Sequence, residues 1–251
     1  MTTETKNEIA QYLEFCNLQI ASEAFLVSKT DLPSQIPEIL SGEILKSKLV
    51  AGNDHSSIFT DVQADDFVSK WEVVAHQGNT GTGFSGTLFK AKVAIPEAGI
   101  VEGQYVISFR STEFIEDSIH DNRATNTLEI KEKGWAFGQI ADMEKWFNEI
   151  KSKIDGPLSV TGYSLGGHLA TAFNILHHGE GLIKDTYTFN GAGVGIVNGA
   201  ENSIAETKAG LTQIIQEFSE RKDASLNDAK LAGNFQSSAS GFTSLFEQES
   251  V

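Results

Sequence analysis

The sequence predicts an α/β fold: a mostly parallel central sheet that starts with an antiparallel hairpin, with helices on both faces. Three observations carry this. Strand-like and helical segments alternate from about residue 103 onward, the order that builds a parallel sheet. Strand-like runs at 71–76 and 84–93 flank the turn Gln77-Gly78-Asn79-Thr80-Gly81-Thr82-Gly83, which reads as a hairpin. A strand-like run at 157–161 passes through a Gly-flanked serine turn into a helical period with Leu165, Leu169, Phe173 and Leu176 on one face.

The elements follow in order. Residues 4–28 read as one amphipathic helix, with Ile9, Leu13, Cys16 and Ile20 in line on the face expected to be buried. Residues 35–50 read as a second helix, with Ile36, Ile39, Leu40 and Ile44 apolar. After the hairpin, 103–110 (Gly-Gln-Tyr-Val-Ile-Ser-Phe-Arg) is a near-continuous apolar run, as in a strand buried on both faces. Residues 113–134 are polar and irregular. Residues 136–151 place Ala136, Ile140, Met143, Phe147 and Ile150 on one helical stripe. A further strand at 185–190 ends in Gly191-Ala192-Gly193-Val194-Gly195. Residues 201–221 are helical, with Ile204, Leu211, Ile214, Ile215 and Phe218, and no strand pattern follows them. The expected unit is a single domain over 1–251. It comprises a helical N-terminal segment (1–64), a core (65–195) and a helical C-terminal segment (196–251) that leaves the domain incomplete.

Charge narrows the function classes. With 34 Asp and Glu against 19 Lys and Arg, the formal net charge is −15. That disfavours nucleic acid, whose phosphates need cationic partners, and adsorption to anionic membranes. No apolar stretch is long enough to span a bilayer, and the N-terminus lacks a basic region followed by an apolar run, so no signal peptide is expected. Such a chain is cytoplasmic or leaves by a route that does not read a signal peptide. The single cysteine, Cys16, excludes an intrachain disulfide and reads as a core thiol. No metal-ligand spacing, phosphate-cradling loop or cofactor motif is present. The Gly-rich stretch 78–86 is followed by a strand and no Lys-Ser or Lys-Thr, so it is a hairpin turn rather than a phosphate loop.

The chemistry concentrates in Gly162-Tyr163-Ser164-Leu165-Gly166-Gly167. This is G-x-S-x-G between a strand and a helix, the context of a nucleophile elbow, with Ser164 as the nucleophile. Glycines are needed there because a Cβ would strike the neighbouring strand or helix. The helix N-terminus favours negative charge developing near the serine.

Three ordered segments resemble the class 3, or fungal-lipase-like, family of α/β-hydrolases, and more closely its bacterial branch associated with repeats-in-toxin proteins. They are Tyr105-Val106-Ile107-Ser108-Phe109-Arg110-Ser111-Thr112-Glu113, the elbow, and Tyr187-Thr188-Phe189-Asn190-Gly191-Ala192-Gly193. The stretch from Val74-Ala75-His76-Gln77 to Gly83-Phe84-Ser85 is similar to the bacterial branch as well. The likeness spans about 65–195. Tyr163 stands where the family usually has His, and Ser111 where it has Gly. The resemblance implies a lipase, phospholipase or carboxylesterase acting on a lipid or small ester. Ser164 would be the nucleophile, with the Leu165 backbone N–H and Thr112 as oxyanion donors and 113–134 as a cover over the site. Two donors at about 3 Å are what a tetrahedral oxyanion needs.

A serine nucleophile also needs a base, and in hydrolases of this kind the acid and then the histidine follow the serine on later strands. The histidines are His55, His76, His120, His168, His177 and His178, and none lies beyond 178. His168 reads as a packed helix residue and His177 and His178 as helix C-terminal cations. Asp185 points to the wrong end of the sheet, and Asp223 reads as a solvated helix end. His120, between Asp117 and Asp121, is the tentative base, with a solvated loop histidine as the alternative. Three readings remain. The chain is the N-terminal part of a longer hydrolase, it is an inactive hydrolase-fold interaction domain, or it is an enzyme with an unusual base. The first is favoured, because a decayed enzyme has no physical reason to keep a strained serine turn. The expectation for 1–251 alone is weak esterase activity or none.

Overall fold

A computed structural model describes residues 3–27, 39–53, 57–111, 135–194 and 203–226. Its elements in chain order are α1 (Thr3–Glu23), α2 (Gly42–Ala51), α3 (Asp61–Lys70), β1 (Trp71–Gln77), β2 (Gly86–Ala91), β3 (Tyr105–Phe109), α4 (Phe137–Ile150), β4 (Leu158–Tyr163), α5 (Leu165–Leu176), β5 (Ile183–Phe189) and α6 (Ile204–Leu226).

The five strands form one open sheet in sequence order, β1 to β5. β1, β2 and β3 pair antiparallel, while β3, β4 and β5 pair parallel. The expected hairpin is present, but among the described residues the sheet is evenly mixed rather than mostly parallel. The parallel half follows from helical crossovers, since α4 joins β3 to β4 and α5 joins β4 to β5. The antiparallel half continues one strand past the hairpin, because the short 92–104 connection returns β3 alongside β2.

Helices cover both faces. Ile107, Leu158 and Val160 face α4, α5 and Leu211 of α6 in one core. Val106, Phe89 and Trp71 face α1, α2 and α3 in the other. All residues of β3 are buried, as its near-continuous apolar run, interrupted only by Ser108, suggests. In β1 the pairing skips from Val73 to Ala75, a bulge that reverses the strand's phase. Val73 therefore enters one core and Ala75 the other, although residues two apart in a regular strand share a face.

Several sequence expectations shift. α1 buries Phe15, Leu18 and Ala21, whereas Ile9 and Leu13 are exposed and Cys16 is half-buried. Burial still pushes the Cys16 thiol up, so it stays protonated. The second helix begins at Gly42 rather than 35, because Leu40 makes an isolated bridge to Val73 in β1. α3 was not expected. Its signal is a capping box, in which Thr60 accepts from the Gln63 N–H and the Gln63 side chain accepts from the Thr60 N–H. The α4 and α5 stripes are buried as expected. In α6 Ile204 is exposed and Leu211 buried, and the side chains of Ile214, Phe218 and Asp223 lie outside the described residues.

At the far end of α5 from Ser164, α6 docks through charge. His177 lies 3.2 Å from Glu144 of α4 and 2.9 Å from Glu180, and Lys208 of α6 lies 2.9 Å from the other Glu180 oxygen. These carboxylates outweigh burial and raise the His177 pKa. No helix among the described residues is long and apolar enough to cross a membrane.

Candidate active site

The site forms where β4 runs into α5. Ser164 links them with φ 52° and ψ −116°, a conformation L-residues rarely adopt. Three backbone hydrogen bonds hold it there. The Ser164 N–H donates to the Phe189 carbonyl at 3.0 Å. The Ser164 carbonyl accepts from the N–H groups of Ala192 at 2.9 Å and His168 at 3.1 Å. The turn is thus fixed by the end of β5 and by its own helix. Strain of this kind costs about 1–3 kcal/mol and persists only where surrounding structure imposes it.

The glycines explain how neighbouring backbone comes so close. A Cβ on Gly162 would overlap the Gly166 carbonyl and lie 2.6 Å from the Gly167 nitrogen. One on Gly166 would overlap the Phe109 carbonyl and lie 3.0 Å from that of Arg110. One on Gly167 would come within 2.7 Å of Gly191 Cα. The first turn of α5 therefore sits backbone against backbone between the ends of β3 and β5. Leu165 is its first residue, and its N–H is among the amides that no intrahelical carbonyl accepts.

Of the sequence-predicted site residues, Ser164 and Leu165 fall at this turn. Thr112 and His120, and with them the expected cover at 113–134, lie outside the described residues, as does His55. Asp185 pairs with Ser159 near the start of the parallel strands, whereas Ser164 follows Tyr163, which pairs with Phe189 at their ends. Four residues of strand, about 13 Å, separate those levels, so Asp185 faces away from the serine end as expected.

The described histidines are engaged elsewhere. His76 Nδ1 lies 2.9 Å from the Thr87 hydroxyl, and burial, helped by Arg110, pushes its pKa down to about 3. His177 and His178 close α5, about 18 Å of helix from Ser164. His168, one turn into α5, is fully buried, its Nε2 accepting from the Ala136 N–H at 3.1 Å. Its Nδ1 lies 3.0 Å from the Gly193 carbonyl, which can only accept, so Nδ1 carries the proton. Both ring nitrogens are spent on backbone, and His168 is the packed helix residue that its position suggested.

Burial lowers the His168 pKa to about 4. A histidine depressed in this way contributes stability that is complete above its unfolded value near 6.5 and is lost as pH falls through the folded value. The loss amounts to about 3 kcal/mol between those limits. Urea unfolding at pH 7 and pH 4.5 should therefore show a smaller acid penalty in His168→Gln than in wild type. An identical pH dependence in the two proteins would contradict the neutral, bridging assignment.

Sequence reasoning missed a buried polar seam beside the elbow. Glu23 of α1 accepts from the Ser111 N–H at 2.8 Å and the Gln19 side-chain amide at 2.7 Å. Arg110 Nε lies 3.8 Å from the other Glu23 oxygen, and its guanidinium lies over the Phe25 ring at 4.7 Å. Ser108 donates to Gln19 Oε1 at 2.7 Å. Burial leaves the Glu23 pKa raised, although Arg110 and the Ser111 and Gln19 hydrogen bonds partly oppose it. A helical face made of Gln19, Ser22 and Glu23 gives no hydrophobic signal. Its partners lie in a strand far along the chain.

Among the described residues, no group of three or more His, Cys, Asp or Glu side chains is placed to hold a metal ion. Comparison with protein-family models, with curated proteins and with solved structures finds no match for this chain.

Proposed function

We propose that this chain is a serine carboxylic-ester hydrolase domain of α/β-hydrolase type, acting on acyl esters of lipids or similar small esters. The observation that supports this most is the positive-φ conformation of Ser164 at a strand-to-helix turn. In the proposed reaction Ser164 Oγ attacks the ester carbonyl carbon and gives its proton to a base. The resulting oxyanion is held by the Leu165 N–H and by Thr112. The alcohol leaves with a proton, and water then hydrolyses the acyl-serine. The base comes from outside the described residues, either His120 or a histidine on a segment that completes the domain. Ser111 and Ala136 are held by contacts next to the elbow, through Glu23 and through His168.

A second reading has its own support. With both ring nitrogens of His168, the described histidine next along α5, bound to backbone, the domain would be a hydrolase-fold interaction module without catalysis. Prolonged labelling with a fluorophosphonate probe separates the two. The hydrolase reading expects slow labelling of wild type and none of Ser164→Ala. If Ser164 stays unlabelled while a control serine hydrolase reacts, the interaction reading prevails. Hydrolysis of a short-chain chromogenic ester should be weak, because oxyanion donors and binding without a base leave about 10³- to 10⁴-fold over water. Turnover above about one per second that vanishes in Ser164→Ala would place a base within these 251 residues. His120→Ala would then test which residue it is.

A further inference from the structure

The N-terminal helix lies outside the stretch that resembles a lipase, yet it bonds to the backbone just after β3, beside the nucleophile turn. Glu23 ends α1 with its side chain only 9% exposed, and it bonds to a backbone amide 88 residues away. That amide belongs to Ser111, the second residue after β3. Arg110, between them, donates its own N–H to the Ser85 carbonyl at 3.1 Å, so the end of β3 is held from the β2 side and from α1 together. The Phe109 and Arg110 carbonyls are the atoms against which Gly166, in the first turn of α5, is pressed. A continuous line of close contacts thus runs from Glu23 through Ser111 and Arg110 to Gly166, two residues from Ser164.

The simpler account is that Glu23 only neutralises buried Arg110. Geometry argues against it as the whole role. The Arg110 Nε contact is 3.8 Å, too long for a hydrogen bond, whereas the Ser111 N–H contact is 2.8 Å, within hydrogen-bond range. The Ser111 amide is also spent on Glu23 and is not available to an oxyanion.

We propose that Glu23 is a positioning residue for the Ser164 nucleophile: its carboxylate fixes the Arg110–Ser111 backbone, against which the first turn of α5 is set. This rests on the hydrolase reading. The two substitutions that decide it separate reach from charge. Glu23→Gln keeps an oxygen at the same distance to accept the Ser111 N–H and removes the charge. Glu23→Asp keeps the charge and withdraws the oxygen by one methylene. The readouts are the second-order rate of fluorophosphonate labelling at Ser164, taken at alkaline pH with long incubation, and the melting temperature of each variant.

Positioning predicts that Glu23→Gln labels within about threefold of wild type while Glu23→Asp is slower by at least about tenfold, the scale on which ångström misplacement acts. Charge balance alone predicts the reverse order, and that result, or a Glu23→Asp variant labelled at the wild-type rate, overturns the proposal. An unlabelled wild type overturns the hydrolase reading itself, which is a different result. Hydrogen exchange at the Ser111 amide of the wild-type chain tests the contact without any variant or activity. Strong protection is expected, and exchange at the rate of a solvent-exposed amide overturns the proposal even if Glu23→Asp does not fold.

Discussion

Gly162→Ala is expected to destabilise this chain strongly, and to abolish labelling of Ser164. The added Cβ would overlap the Gly166 carbonyl and stand 2.6 Å from the Gly167 nitrogen. Both are backbone atoms of a buried helix turn, so no rotamer change relieves the clash. Ordinary overpacking in a core costs about 1–3 kcal/mol because side chains can shift. Here the turn itself has to move, and with it the contacts of Gly166 to β3 and of Gly167 to Gly191. The cost should exceed about 3 kcal/mol, a large part of the 5–15 kcal/mol that stabilises a typical domain. Urea midpoints measure it, with Gly81→Ala as the control, since a Cβ at Gly81 meets nothing within 4 Å. A Gly162→Ala midpoint equal to that of the control would mean that the elbow backbone is not as close as described.

Ser164→Gly should have the opposite sign on stability and the same effect on chemistry. The serine is held at φ 52° and ψ −116°, where a Cβ is strained and glycine is not. Removing about 1–3 kcal/mol of strain is offset by about 0.5–1 kcal/mol for glycine's freedom in the unfolded chain. A net gain of about 1 kcal/mol raises the melting temperature of a domain this size by roughly 2–4 °C. Ser164→Ala keeps the Cβ and should melt with wild type. Both variants lose labelling. If glycine proves no more stable than alanine at this position, the serine is not strained, and the observation on which the hydrolase proposal leans most would lose its force.

How much of this was legible depended on where each element's partners lie. The elbow could be read because its glycines, its strand and its helix are contiguous, and the steric demand is local. β3 could be read because a near-continuous apolar run has few other fates. The pairing of β3 with β2 could not, since strand direction depends on a connection whose path leaves no periodic trace. α1 shows the limit most clearly. Its apolar line through Ile9 and Leu13 suggested the buried face, and those residues are exposed. Half of the face it buries near the sheet is polar, with Gln19, Ser22 and Glu23 matched to Ser108 and Ser111. Hydrophobic period cannot find burial that is satisfied by hydrogen bonds across the fold. α3 is different, because its Thr60–Gln63 cap is a local signal that was there to be read.

The hydrogen bonds of Ser164 also bear on the order of folding. Its amide is bound to Phe189 and its carbonyl to Ala192, while the helix turn behind it rests on Phe109 and Arg110. None of these restraints exists until β3, β4 and β5 have assembled in register, and contacts of such sequence separation form slowly. Before that point only the His168 N–H of its own helix turn restrains the serine, and the bonds to Phe189 and Ala192 do not. If Ser164 is the proposed nucleophile, its positive-φ conformation depends on the assembled sheet, and partly folded forms of the chain are expected not to react there.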